Sequence, residues 1–141
     1  MTAEKRSKFM MIIAIVFALY SLLWGLAPYE SINLPARFIL DVSDWPFDKT
    51  AKVLDRNTQW LSAISAGLLF AISIFLGGIV APAIKEKNQV IIRTTIIAFI
   101  AWYLIDSVGS VAAGVPSNAV FNTIYLVLVL IPLWGGIRNV D

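Results

Sequence analysis

The sequence predicts an all-α integral membrane protein: a four-helix transmembrane bundle with a short external amphipathic helix between spans 1 and 2. Hydrophobic residues make up 59% of the 141-residue chain and charged residues only 14%, whereas soluble domains carry about 25% charged residues. The mean hydropathy is +0.80. Four apolar runs reach the roughly 20 residues that a membrane-spanning helix needs. We therefore expect a single membrane domain over residues 1–141.

The first predicted span covers about residues 9–28 and follows three basic residues, Lys5, Arg6 and Lys8. Its apolar run is longer than the 7–15 residues typical of a signal-peptide core, so we expect an uncleaved span. Small side chains recur along it at helical spacing, which predicts a close contact with another helix. They are Ala14, Ala18, Ser21 and Gly25.

The segment 29–57 is the only long polar stretch and is predicted to lie outside the membrane. Apolar residues recur at helical spacing after Pro35, which suits the first turn of a helix, and Trp45-Pro46 ends the pattern. This predicts a short amphipathic helix on the membrane surface. Two interpretations stay open: a solvated lid without a ligand, or a docking surface or cap over an outer cavity.

The remaining spans are predicted at about residues 58–82, 89–114 and 118–137. Asn57 or Thr58 is a suitable N-cap for the second span, and Pro82 is a suitable stop. The short connection from Lys85 to Asn88 predicts that the second and third spans are antiparallel neighbours. A tight turn at 114–117 joins the third span to the fourth, with Ser117 or Asn118 as its cap.

The distribution of basic residues predicts the orientation. Seven of the eleven Lys and Arg residues fall on the side of the termini and of the loop between the second and third spans. Cytoplasmic loops are enriched in Lys and Arg. We therefore expect both termini in the cytoplasm and segment 29–57 outside. The seven residues are Lys5, Arg6, Lys8, Lys85, Lys87, Arg93 and Arg138.

The stretch 101–122 is predicted to be the centre around which the chain is organised. Asp106 is the only ionisable residue deep inside an apolar run, and an acid facing lipid is costly, so its face should point inward. Counting about 1.5 Å per residue from the outer helix ends predicts a polar layer at a similar depth. Its members are Asp106, Ser107, Ser110, Asn118, Asn122, Tyr20 and Ser65. Small residues beside the acid predict helix packing at Gly109, Ala113 and Gly114.

Two roles are open for Asp106. It is either a buried hydrogen-bond hub that fixes the register of the helices, or a site that carries a proton or binds a cation, as intramembrane acids often do. A catalytic acid acting on a lipid is a third role. It has less support because no second acid, base or nucleophile falls at a matching depth.

Histidine and cysteine are both absent. This excludes imidazole and thiolate metal ligands, iron–sulfur clusters, disulfides and Ser–His or Cys chemistry. We therefore predict no metal, no cofactor and no enzymatic activity. The expected partners are the lipid bilayer and other membrane-protein subunits or further copies of the chain, and no nucleic acid.

Two motifs resemble a group of small, uncharacterised four-span inner-membrane proteins of bacteria. The first is Trp45-Pro46 with Asp48, ahead of Leu61-Ser62-Ala63-Ile64; the second is WYLIDSVGSVAAGVPSNAVFN at Trp102–Asn122. The resemblance extends from about Leu34 to Leu133 and implies four spans in the bacterial inner membrane, without implying an activity. Its signature positions would be Asp106, Ser107, Gly109, Ser110, Pro116, Asn118 and Asn122.

These patterns together predict a small accessory or interaction subunit of a larger inner-membrane complex. The first alternative is a small transporter or ion-coupled carrier that uses Asp106. The second is a lipid-modifying membrane enzyme.

Overall fold

The computed structural model describes residues 1–46 and 50–137. This part of the chain is all-helical, with 80% of its residues in helices. Four helices are long and apolar enough to cross a membrane. The predicted helical bundle is therefore confirmed. The elements are α1 (Ala3–Trp24), α2 (Leu34–Ser43), α3 (Arg56–Phe75), a π-helical segment (Leu76–Val80), α4 (Ala81–Lys85), α5 (Gln89–Ala112) and α6 (Pro116–Ile137).

Helix α1 begins six residues before the predicted first span because its polar start is also helical. The Thr2 hydroxyl accepts from the Lys5 backbone N–H at 3.3 Å, which caps the helix. The cap draws Lys5 and Arg6 into the helix. Their side chains therefore have fixed directions around α1.

The second span is one continuous helical stretch from Arg56 to Lys85, and two predictions about its ends were wrong. Its N-cap is Asp55, whose Oδ1 accepts from the backbone N–H groups of Asn57 at 2.9 Å and Thr58 at 3.1 Å. Pro82 does not stop it. The wider π-helical segment immediately precedes Pro82, and such a turn relieves the clash that a proline ring makes with the carbonyl four residues earlier.

Helix α1, rather than the stretch 101–122, lies at the centre of the bundle. It contacts α2, α3, the π-helical segment, α4 and α6. The main core is built around its inward face, and the prediction that 101–122 is the organising centre was wrong. The buried core residues are Met10, Ile13, Ala14, Phe17, Leu76, Val80, Ala81, Ile84, Ile92, Ile96, Val129 and Leu133.

The prediction that the second and third spans are neighbours holds only at their connecting turn. Helix α5 contacts α4 and the π-helical segment but, within 1–46 and 50–137, not α3. Its main contact is with α6. An apolar groove of about 400 Å³ separates the π-helical segment from the first half of α5. The bundle is therefore open on one side.

Both turns that lead into and out of α5 use the same helix-ending geometry. Before α5, Lys87 adopts a left-handed conformation (φ 57°), and the Asn88 N–H donates to the Ala83 carbonyl at 2.9 Å. After α5, Gly114 is left-handed (φ 85°), and the Val115 N–H donates to the Ser110 carbonyl at 2.9 Å. Glycine adopts this conformation without strain, whereas lysine does not.

The predicted amphipathic helix is confirmed as α2, with Pro35 in its first turn. The returning chain is tied to it by Arg37, whose Nη1 donates to the carbonyls of Ala51 at 3.0 Å and Lys52 at 2.8 Å. Ala27, Ala36 and Leu54 form a second small core beneath it. Two residues used in the sequence analysis lie outside the described residues: Asp48, which belongs to the Trp45-Pro46 motif, and Arg138, one of the seven basic residues that predict the orientation.

Candidate functional site

The polar network lies where α5 and α6 meet beside their connecting turn. Asp106 and Ser110 are one helical turn apart on α5, and the turn brings Asn118 of α6 opposite them. The Asn118 Nδ2 donates to Asp106 Oδ1 at 3.0 Å and to Ser110 Oγ at 2.8 Å, and Ser110 Oγ donates to Asp106 Oδ1 at 3.1 Å. All three side chains are half-buried. The inward face predicted for Asp106 is thus a face turned toward α6.

The other predicted polar residues fall into separate groups. One turn deeper, the buried Asn122 donates through Nδ2 to Ser107 Oγ at 3.3 Å. Tyr20 of α1 lies against Tyr125, with ring centroids 6.0 Å apart. Ser65 lies on α3, which contacts neither α5 nor α6 in the described residues. Equal depth along separate helices therefore does not create one polar layer, because the helices present these side chains to different neighbours.

The helix packing predicted for Gly109, Ala113 and Gly114 is not made by residues 1–46 and 50–137. All three residues are exposed, and a Cβ placed on Gly109 or Gly114 would meet no atom within 4 Å. Gly109 lies to the side of the face that meets α6. Ala113 and Gly114 follow the end of α5 and form its turn.

Close packing of small residues occurs instead between α1 and the second span. A Cβ on Gly25 would lie 3.5 Å from that of Ala66, and a Cβ on Gly77 would lie 3.4 Å from that of Ala14. The contact predicted from the small-residue stripe of α1 is confirmed at these two points. Small side chains at both positions allow the helix backbones to approach closely.

Ser117 connects this network to the surface helix α2. It was predicted as a cap of the fourth span, but α6 already begins at Pro116, so Ser117 lies inside the first turn. Its Oγ donates to the Ser43 carbonyl at 2.6 Å and accepts from the Trp45 backbone N–H at 3.2 Å. The end of α2 is therefore fastened to the α5–α6 turn. Sequence reasoning missed this contact because Ser43 and Ser117 are far apart in the chain.

Sequence reasoning also missed Arg6, which lies near the other end of the bundle. It was counted among the basic residues that flank the membrane, yet it is only 3% exposed. A signal was present in the spacing: Arg6, Met10, Ile13 and Phe17 follow one helical face, and the last three are apolar. Extending that face back to Arg6 would have placed it inside the bundle.

The polar network offers one carboxylate with neutral donors around it. Among residues 1–46 and 50–137, no group of three or more acidic side chains could hold a metal ion. An apolar cavity of about 340 Å³ lies beneath α2, with Tyr20 and Tyr125 among its lining residues. The main core of the bundle is built from apolar side chains.

No protein-family model, curated protein or solved structure matches this chain. The resemblance to small four-span inner-membrane proteins of bacteria stays a prediction.

Proposed function

We propose that the protein is an accessory subunit of the bacterial inner membrane, which packs through α5 against a transmembrane helix of another subunit. The observation that carries this proposal is the exposure of α5. Within the most apolar 18-residue stretch of α5, only 11% is buried inside the chain, whereas the corresponding stretch of α1 is 28% buried. An apolar helix attached along one face leaves the rest of its surface available to a second membrane helix.

The open face of α5 has the chemistry that such a contact uses. Helix association in lipid depends on close van der Waals packing at small residues rather than on hydrophobicity. Gly109 and Ala113 are small and exposed, and Val108 and Ile105 beside them are 67% and 77% exposed. The small-residue contact expected from the sequence would then be made between chains.

Site-directed photocrosslinking in native membranes tests the proposal. A crosslinking residue at Gly109 should yield one dominant adduct of fixed mass, in stoichiometric amount. The matched position is Leu68 on α3, which is 62% exposed and also faces away from the core. Adducts to lipid alone from both positions would contradict the subunit role, and an adduct of twice the chain mass would identify a second copy as the partner.

The proposed orientation has both termini in the cytoplasm, supported by the excess of Lys and Arg on that side. A reporter inserted at Lys87 should read cytoplasmic, and one inserted between Asp48 and Lys52 should read external. The reverse result would overturn the orientation without affecting the subunit proposal.

Proton or cation transport through Asp106 is the second candidate function. It is favoured by one observation: the acid lies inside a span-length helix and faces α6 rather than lipid. Proteoliposomes containing the wild type and Asp106→Asn test it. Flux in the wild type that the Asn variant loses would replace the subunit proposal.

A further inference from the structure

Among residues 1–46 and 50–137, Arg6 is a buried cation that finds no hydrogen-bond partner. Its side chain is 3% exposed, and its Nε and Nη1 atoms are enclosed by protein without an acceptor in range. The third nitrogen, Nη2, is not enclosed in this way. Buried charges in proteins are normally paired, because an unpaired one loses its hydration without compensation. The pocket therefore lacks an acceptor that the guanidinium requires.

The packing around Arg6 keeps the guanidinium in a defined place. A Cβ on Gly135 would lie 3.0 Å from Nη1 and 3.3 Å from Cδ, so the absence of a side chain there makes room for Arg6. Gly135 is in the last turns of α6, whose carboxyl end carries partial negative charge. The helix end offsets some of the positive charge, but it leaves the Nε and Nη1 hydrogens without acceptors.

The charges nearby would attract an anion. Lys5, Lys8 and Lys85 are exposed at this end of the bundle. Glu4 is paired with Lys8 at 3.0 Å and is also under the electrostatic influence of Lys85, and the exposed Glu86 adjoins Lys85 in the chain. Glu4 is therefore engaged with lysines at the surface, while Arg6 stays unpaired inside.

We propose that the Arg6 pocket binds a phosphate group, which enters at the exposed rim and is held by the guanidinium fork. The planar N–H groups of arginine match the oxygens of a phosphate in a two-point hydrogen bond. This proposal does not depend on the subunit role of α5, because it concerns a different surface at the opposite end of α5 and α6.

The position of Arg6 along α1 favours the headgroup of an anionic phospholipid as the source of the phosphate. The apolar run of α1 begins at Phe9, three residues and about 4.5 Å further along the helix. When α1 crosses a bilayer, this places Arg6 at the level of the lipid phosphates. The surrounding lysines would favour a headgroup with net negative charge over a zwitterionic one.

Native mass spectrometry of the purified full chain tests the proposal, with phosphatidylglycerol and phosphatidylcholine as probes. The wild type should retain one phosphatidylglycerol in preference to phosphatidylcholine. Arg6→Gln should weaken that binding by about ten- to a hundredfold, the loss expected when a charged hydrogen bond is removed. Arg56→Gln is the matched control, since it makes the same substitution at an exposed position near the other end of the bundle, and it should change binding by less than about threefold.

The outcomes distinguish the phosphate source from failure of the proposal. A rise in melting temperature with inorganic phosphate, at matched ionic strength and equal to that with phosphatidylglycerol, would identify a soluble phosphate as the ligand. Equal losses in Arg6→Gln and Arg56→Gln, or no binding of either phosphate, would overturn the site. If Arg6→Gln does not fold, Arg6→Lys keeps the charge without the fork: weakened binding supports the proposal, and unchanged binding overturns it.

Discussion

Asp106 and Arg6 lie near opposite ends of the bundle and differ in burial and in hydrogen bonding. Asp106 is half-buried and accepts hydrogen bonds from Ser110 and Asn118. Arg6 is buried more deeply, at 3% exposure, and its Nε and Nη1 have no acceptor in the part of the chain that the structure describes. The acid that the sequence marks as exceptional is therefore well accommodated. The arginine that resembles an ordinary flanking charge has no partner among those residues.

The difference shows that depth along a helix and burial within a bundle are separate quantities. Asp106 lies well inside an apolar run, but α5 is a peripheral helix, and the side chain needs only the neighbouring α6. Arg6 precedes its apolar run, but α1 is the central helix, and Arg6 falls on the face that packs inward. Burial depends on which face of which helix carries a residue.

The largest effect is expected at Arg6. In detergent without anionic lipid, Arg6→Met should raise the free energy of unfolding by about 1–3 kcal/mol, because it removes a buried cation with unsatisfied N–H groups and keeps a similar volume. Unfolding by titration with a denaturing detergent measures this change. Lys5→Met, at an exposed position on the same helix, is the control and should have little effect. A destabilised Arg6→Met would mean that the end of α6 fully compensates the charge.

The two turns that flank α5 provide the next largest effect. Gly114→Ala should destabilise the protein by about 1–2 kcal/mol, because φ is 85° there and an L side chain is strained in that conformation. Lys87→Gly should stabilise it by about 1 kcal/mol, since φ is 57° at a residue that is not glycine. Melting temperatures measure both changes.

Gly109→Ala is the control for the turn variants, because Gly109 is helical and a Cβ there meets no atom within 4 Å. It should be neutral or slightly stabilising in the isolated chain. If Gly114→Ala and Gly109→Ala changed the melting temperature equally, the left-handed conformation of Gly114 would not be important for the turn between α5 and α6.

Much of the fold could be predicted because apolar length and turn residues act locally. Four spans, the amphipathic α2 and the small-residue contact of α1 follow from the spacing of residues close in sequence. The order of packing could not be predicted in this way. Which helix becomes central depends on contacts between distant segments, and a short connection such as Lys85–Asn88 fixes only the turn, not the alignment of the helices beyond it.

The candidate site could be predicted where its residues share one hairpin. Asp106, Ser110 and Asn118 lie within thirteen residues of each other, so helical periodicity and one turn were enough to bring them together. Tyr20 and Ser65 were grouped with them by depth alone, and the bundle places them against other neighbours. The small residues Gly109 and Ala113 were assigned to the interior because composition does not show which side of a helix is covered.

A smaller effect is expected at Asp106, because its network is partnered and peripheral. Asp106→Leu should cost about 0.6 kcal/mol and at most about 1.7 kcal/mol, the range measured for polar contacts within membranes, and should lower the melting temperature. Asp106→Asn retains a carbonyl acceptor and similar size, so it should melt close to the wild type. If Asp106→Leu and Asp106→Asn were equally destabilised, the fold would depend on the negative charge of Asp106 and not on its hydrogen bonds. Asp106 would then not be the weakly contributing, partnered group that is contrasted here with Arg6.

The smallest effect is expected at Asp55, an exposed acid that shows what a partnered carboxylate does outside the bundle. The hydrogen bond from the Thr58 hydroxyl, with those from the backbone N–H groups of Thr58 and Asn57, lowers the pKa of Asp55 below its ordinary value of 3.8. The folded state thus keeps the carboxylate ionised at a pH where the unfolded chain takes up a proton. The stability that it contributes is present above the unfolded pKa and is lost as the pH falls through the folded pKa.

Asp55→Asn isolates this contribution, because asparagine caps a helix about as well as aspartate but does not titrate. The difference in melting temperature between the wild type and Asp55→Asn should be constant near neutral pH. It should then change in favour of the Asn variant as the pH falls below about 4. Comparing the two proteins cancels the titration of the other acids. A difference independent of pH would mean that the cap has no effect on proton binding by Asp55.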